Sequence, residues 1–151
     1  MEKRRKNIRL PREAYEVPLQ IFSVTLCTQD RRPLFQNGTW AKTLLSNLET
    51  GPIGRESERY AWCLMADHLH LLIGPREGNL VDIPSRWKSY TGHILRKNGL
   101  KEACWQRGFY DHALRNEEDI QKVAEYIVNN PVRKGLVDNW REYPYSWHRW
   151  M

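Results

Sequence analysis

The chain predicts a single domain of the α+β class, and three observations support that reading. Its 151 residues suffice for one core but not comfortably for two. A central apolar run, WCLMADHLHLLIG from Trp62 to Gly74, has the alternation of a strand. Around it, stretches rich in β-branched and aromatic residues are interspersed with stretches whose apolar residues recur at helical spacing.

In chain order, residues 1–14 are expected to form a basic N-terminal arm, MEKRRKNIRLPR at 1–12 being rich in charge and poor in apolar residues. The domain proper is expected over 15–151. Leu19 to Thr28 (LQIFSVTLCT) predicts a strand, ended by a turn at Asp30 to Pro33. Thr39 is placed to cap a helix through Leu48, with Trp40, Leu44, Leu45 and Leu48 as its buried stripe. Gly51 to Arg59 reads as a polar connection. Tyr60 to Ala66 and His68 to Ile73 then form a tight hairpin, the histidines opening its second strand.

A second helix is predicted from Asp82 to Lys97, with Pro84 tolerated in its first turn and Asn98 and Gly99 ending it. Its inward face is assigned to Trp87, Tyr90, Thr91 and Ile94. Ala103 to Leu114 lacks a helical period and reads as one or two strands bent at Gly108. Asn116 is the expected cap of a third helix over Glu117 to Asn130, whose acidic first turn suits the positive end of the helix.

Composition narrows the function. Lys and Arg number 24 against 18 Asp and Glu, giving a net charge of +6 and a pI near 9.4, which favours a polyanionic partner. Seven Trp and seven Tyr among basic residues suit unpaired bases, although most of these rings belong in a core. Cys27, Cys63 and Cys104 are widely spaced, so neither a disulfide framework nor a structural zinc site is indicated. With no secretory h-region and no membrane-spanning run, a soluble protein in the reducing cytoplasm is expected.

The chemistry centres on His68 and His70. On a strand they share one face with Leu72, roughly 6.5 to 7 Å apart along the chain, a gap that two imidazoles can close onto one divalent metal. A helix would turn them about 200° apart. Backbone or water could equally satisfy such a pair. On the third helix Ile120, Val123, Ala124, Ile127 and Val128 form one apolar sector. Tyr126 projects outside it by roughly 120 to 130°, and Asn130 lies one turn further on the same flank. A phenol and an amide oxygen four residues apart can complete a hard-cation site begun by imidazoles.

Four runs then carry a resemblance: ADHLHLL, WKSYTG at 87–92, WQRGFYDHALR at 105–115, and EYIVNNPVRKGLV at 125–137. In this order they resemble the HUH single-tyrosine transposases, in particular the REP-associated tyrosine transposases of bacteria, from about Tyr15 to Trp147. The resemblance implies a ferredoxin-like α/β sandwich, an antiparallel sheet with helices packed on one face and the histidine pair on the other. It implies that His68, His70 and Asn130 hold a divalent metal, Mg2+ or Mn2+, and that Tyr126 is the nucleophile. The chain departs from the family pattern at Asn130, where insertion-sequence relatives more often carry Gln, at Asp67, where Asn is common, and at Lys134, where alanine is usual.

The implied reaction cleaves and rejoins single-stranded hairpin DNA through a 5′-phosphotyrosine. A free phenol, with a pKa near 10, is a poor nucleophile at neutral pH until a metal or base favours its phenolate. Lys88, Arg96, Arg107, Arg115 and Arg133 are candidate phosphate contacts, a solvated basic face being the alternative. Two rival readings are a module that binds single-stranded DNA or RNA hairpins without cutting, and a hydrolytic phosphodiesterase. The resemblance accommodates either a homodimer that exchanges the tyrosine helix or a monomer that acts alone.

Overall fold

The computed structural model describes residues 20–77, 79–115 and 119–151. The predicted basic arm lies outside them, as do Asn116, Glu117 and Glu118 of the predicted third-helix start. Five strands, β1 (Phe22–Cys27), β2 (Ser57–Met65), β3 (His68–Pro75), β4 (Tyr110–Ala113) and β5 (Ser146–His148), form one antiparallel sheet in the order β4-β1-β3-β2-β5. The histidine strand is therefore central, paired with β1 from Phe22 opposite Ile73 to Cys27 opposite His68. Its other neighbour, β2, reaches it through the two-residue turn Ala66 and Asp67, the tight hairpin expected of two runs separated by almost nothing.

Alternation along the strands gives the sheet two apolar faces. Phe22, Val24, Leu26, Leu69, Leu71 and Ile73 are all buried on one face, against α1 (Gly38–Thr50) and α3 (Asp82–Lys97). Trp87 fills the middle of this layer, fully buried, with its indole N–H donating to the Asn47 carbonyl at 3.1 Å. Ala61, Cys63, Met65 and Leu72 point the other way and pack against Ala124 and Ile127 of α4 (Ile120–Val128). Two helices thus form the expected layer on one face, while α4 crosses the face that also carries the histidines.

Several element assignments are corrected. The cap of α1 is Asn37, whose side chain accepts from Trp40 N; Thr39 lies two residues further on, inside the helix. The stretch expected to be a connection holds a short helix, α2 (Pro52–Glu56), and the start of β2, because Pro52 suits a first helical turn and buries with Ile53. Along α3 the buried stripe is Ile83, Trp87, Thr91 and Leu95. Tyr90 falls roughly 80° from its centre and is 49% exposed rather than inward. Gly99, at φ +103, ends α3 as expected.

The bend at Gly108, φ +75, separates an isolated bridge between Thr28 and Trp105 from β4. Asp119 caps α4, its carboxylate accepting from Gln121 N and Lys122 N. The predicted third helix breaks at Asn129, and one further turn, α5 (Asn130–Arg133), follows it. Cys27, Cys63 and Cys104 are buried, and none of the three is in a disulfide. Among the described residues no helix is long and apolar enough to cross a membrane.

Candidate active site

The site is built where β3 begins. Its strand alternation puts His68 and His70 on the face away from α1 and α3, with Cys27 and Thr25 of β1 as their respective cross-strand partners. Asp67, in the preceding turn, accepts the Nδ1–H of His68 at 2.8 Å through one carboxylate oxygen and the Arg31 Nε–H at 3.0 Å through the other. The bond to His68 and then the Arg31 guanidinium hold the Asp67 carboxyl down to about 2 against the opposing effect of burial. Arg31 reaches this position from a tight turn in which both Asp30 and Arg31 have positive φ, 56° and 54°, an uncommon conformation for side chains of their size.

With Nδ1 carrying the proton, the lone pair of His68 Nε2 is presented on the opposite edge of the ring. There it accepts from Asn130 Nδ2 at 3.1 Å, across 62 residues of sequence. His68 and Asn130 are each only 9% exposed. Asn130 arrives because Ala124, Ile127 and Val128 bury one side of α4 and the chain turns at Asn129, with Pro131 buried beside it. His70 Nε2 lies 2.9 Å from the Ser23 hydroxyl on β1. Burial, then the neighbouring His68 and Arg133, hold the His70 imidazole down to about 4, so its ring stays neutral well into acid.

The spacing of His68 and Asn130 fits two ligands of a small divalent cation. Two ligands of one Mg2+-sized ion, each about 2.1 Å from it and at right angles, stand about 3 Å apart; the amide of Asn130 and His68 Nε2 stand 3.1 Å apart. A half-turn of the amide presents its oxygen in place of its nitrogen. A carboxylate on the far nitrogen of a metal-binding histidine is a common support for such a ligand. Among the described residues no three His, Cys, Asp or Glu side chains are grouped so as to hold a metal ion.

Tyr126 is 61% exposed on the outer flank of α4. The Arg133 guanidinium lies 3.7 Å from the centre of its ring and donates to its carbonyl oxygen at 2.6 Å. The same guanidinium also acts electrostatically on His70 and Cys63.

The other candidate cations are dispersed. Lys88 and Arg96 ride on α3, behind the sheet from the histidines. Lys88 Nζ donates to the carbonyls of Gln106 and Gly108, and Arg96 Nε to that of Gly92 at 3.4 Å. Arg107 is exposed at the rim of a cleft of about 170 Å³ lined by Thr25, Cys27 and residues 106–110, and Arg115 is exposed just after β4. Sequence reasoning missed Asp67, Arg31 and Ser23 as supports of the site. Asp67 directly before His68 was the available signal for the first, and the alternation of β1 for Ser23. Nothing local pointed to Arg31.

The family model described as "Transposase IS200 like" matches residues 17–130. A REP-associated tyrosine transposase of Escherichia coli (strain K12) is 35% identical over 96 residues, covering 63% of this chain and 57% of that protein. A Haemophilus influenzae protein is 31% identical over 105 residues, 61% of this chain and 60% of its own length. The chain thus spans less than two thirds of these relatives. A solved REP-associated tyrosine transposase bound to a REP hairpin superposes with a TM-score of 0.68 over 97% of this chain and 82% of that one; at 24% identity this establishes the shared fold.

Proposed function

Because the chain belongs to the IS200-like transposase family, we propose that it cleaves and rejoins single-stranded DNA folded as a hairpin, with Tyr126 as the nucleophile and a 5′-phosphotyrosine as the intermediate. The observation that carries the reading is the meeting of Asn130 with His68 at 3.1 Å, two buried polar side chains brought together across 62 residues of sequence. Binding alone needs no such pairing. The transposase reading follows the E. coli relative, a REP-associated tyrosine transposase, and the hairpin follows the solved relative, which is bound to a REP hairpin.

The Tyr126 oxygen attacks phosphorus, a new O–P bond forms, and the bond from phosphorus to the 3′ oxygen breaks. The departing 3′-hydroxyl carries the proton given up by the phenol. Because one phosphoester is exchanged for another, the reverse attack by a 3′-hydroxyl rejoins strands without an external energy source. His68, His70 and the Asn130 amide oxygen would hold a Mg2+ or Mn2+ ion, which when bound supplies positive charge to a non-bridging phosphate oxygen as negative charge develops there. Asp67 keeps the His68 proton on Nδ1. Ser23 fixes the His70 ring. Arg133 fixes the face of the Tyr126 ring and adds a positive charge beside the place where the phosphate would lie, with Arg107 as a further phosphate contact.

The test is a labelled hairpin oligonucleotide with Mg2+ or Mn2+, run on a denaturing gel. A covalent protein–DNA adduct is expected from the parent and none from Tyr126→Phe or His68→Ala. An adduct from Tyr126→Phe equal to the parent's overturns the nucleophile. Full hairpin binding in chelator with no adduct under either metal marks a binding module, and turnover without a trapped intermediate marks hydrolysis by water.

A further inference from the structure

A cleft lies beside the histidines, with Arg107 at its rim. Its floor is Thr25 and Cys27 of β1, the cross-strand partners of His70 and His68, so it opens on the same face of the sheet. Its far wall is Gln106, Arg107, Gly108, Phe109 and Tyr110, the last paired with Thr25. The wall is tied down at several points. Gln106 N donates to Cys27 O at 2.9 Å, Lys88 Nζ donates to the carbonyls of Gln106 and Gly108 at 2.8 and 2.5 Å, and the Trp105 indole donates to Thr91 Oγ1 at 3.0 Å. Gly108 makes the bend possible with its φ of +75.

Size and chemistry restrict the occupant. Drug-sized ligands fill roughly 300 to 1,000 Å³, whereas this cleft holds about 170 Å³, room for a single small ring system. Its lining joins the ring of Tyr110 to groups able to hydrogen-bond a ring edge, the amide of Gln106 and the hydroxyl of Thr25, while the Phe109 ring is buried in the core behind the sheet. A heterocycle with a π-face and a donor–acceptor edge meets both requirements, and an unpaired nucleobase is such a group. Two strand spacings separate β4 from β3, about 10 Å, which is within reach of one or two nucleotides of unpaired strand.

We propose that this cleft holds one unpaired nucleobase of the bound strand, one or two nucleotides from the phosphodiester placed at the histidines, and thereby sets which bond is presented for cleavage. The proposal rests on the reading of the chain as a single-strand DNA enzyme. Its test is made in chelator, where no cutting occurs. A hairpin oligonucleotide with a single-stranded flank is titrated with the full chain by fluorescence anisotropy, then re-titrated with one abasic nucleotide walked along the flank.

In the parent, one flank position should lose about tenfold in affinity when its base is removed. Thr25→Trp, which fills the cleft, should lose about as much on the intact flank and nothing further at that abasic position. Gln106→Ala, a milder change that leaves the sheet intact, should show the same non-additivity at smaller amplitude, and it decides the matter if Thr25→Trp does not fold. Equal losses on base removal in parent and variants, or no sensitive position in a parent that binds the hairpin, overturn the cleft while leaving the cleavage reading standing. A parent that binds no hairpin overturns both.

Discussion

Asp67 accepts from His68 at 2.8 Å and from Arg31 at 3.0 Å, so Asp67→Ala should free the imidazole to rotate and to change tautomer. Loss of such a supporting carboxylate typically lowers metal affinity about 10- to 100-fold. Titration calorimetry with Mn2+ should show a fall of that size, with the circular dichroism spectrum unchanged. His70 gives a prediction in pH. Its ring titrates at about 4 in the folded chain against 6.5 as a free group, so between those values the unfolded chain binds more protons. Stability should therefore be complete above pH 6.5 and fall as the pH drops toward 4. Between pH 7 and pH 4.5 the parent should lose on the order of 2 kcal/mol more than His70→Gln in urea unfolding. Asp67 does not confuse the reading. Its carboxyl is held down to about 2 from 3.8, so its contribution is present above 3.8 and is lost only as the pH falls toward 2.

At the scale of elements, two segments present the chemistry and each depends on a particular anchor. The run from Trp105 to Tyr110 has little regular structure and is held by Lys88, whose ammonium bonds two of its carbonyls. Hydrogen bonds to a charged group contribute about 1.5 to 3 kcal/mol. Lys88→Met should cost roughly that amount in stability and should speed amide exchange over residues 105–109, leaving exchange in β3 unaltered. The helix α4 is held by Ala124, Ile127 and Val128, while Tyr126 on its outer flank has Arg133 across its ring. Arg133→Lys keeps the charge but gives up the planar stacking and the fork geometry of a guanidinium. It should slow adduct formation several-fold without weakening hairpin binding in chelator, as a comparison of single-turnover rates with anisotropy will show.

Over the whole molecule the sheet separates two apolar layers, one with Ile73 against α1 and α3 and one with Ile127 against β2. Substitutions in the two layers share no partner. Ile73→Val and Ile127→Val should each cost about 0.5 to 1.5 kcal/mol, and the double variant should equal their sum to within about 0.5 kcal/mol in urea unfolding. Only Ile127→Val should also reduce adduct formation, since that layer alone carries Tyr126 and Asn130.

Local pattern in the sequence determined most of the elements, though not α2 or β5, and the chemical types of the site. The alternation of Leu69, Leu71 and Ile73 with His68, His70 and Leu72 allowed only one strand with both rings on one face, and the stripe of α4 left Tyr126 outside. Both follow from periodicity, which depends on neighbours in the chain. Tertiary structure decided the rest: that α4 crosses the histidine face, that Asn130 meets His68 over 62 residues, that Ser23 bonds His70, and that Lys88 serves the loop before β4 from behind the sheet. Such contacts join residues far apart in sequence. Burial and strand register select their partners, and neither is set by the residues on either side.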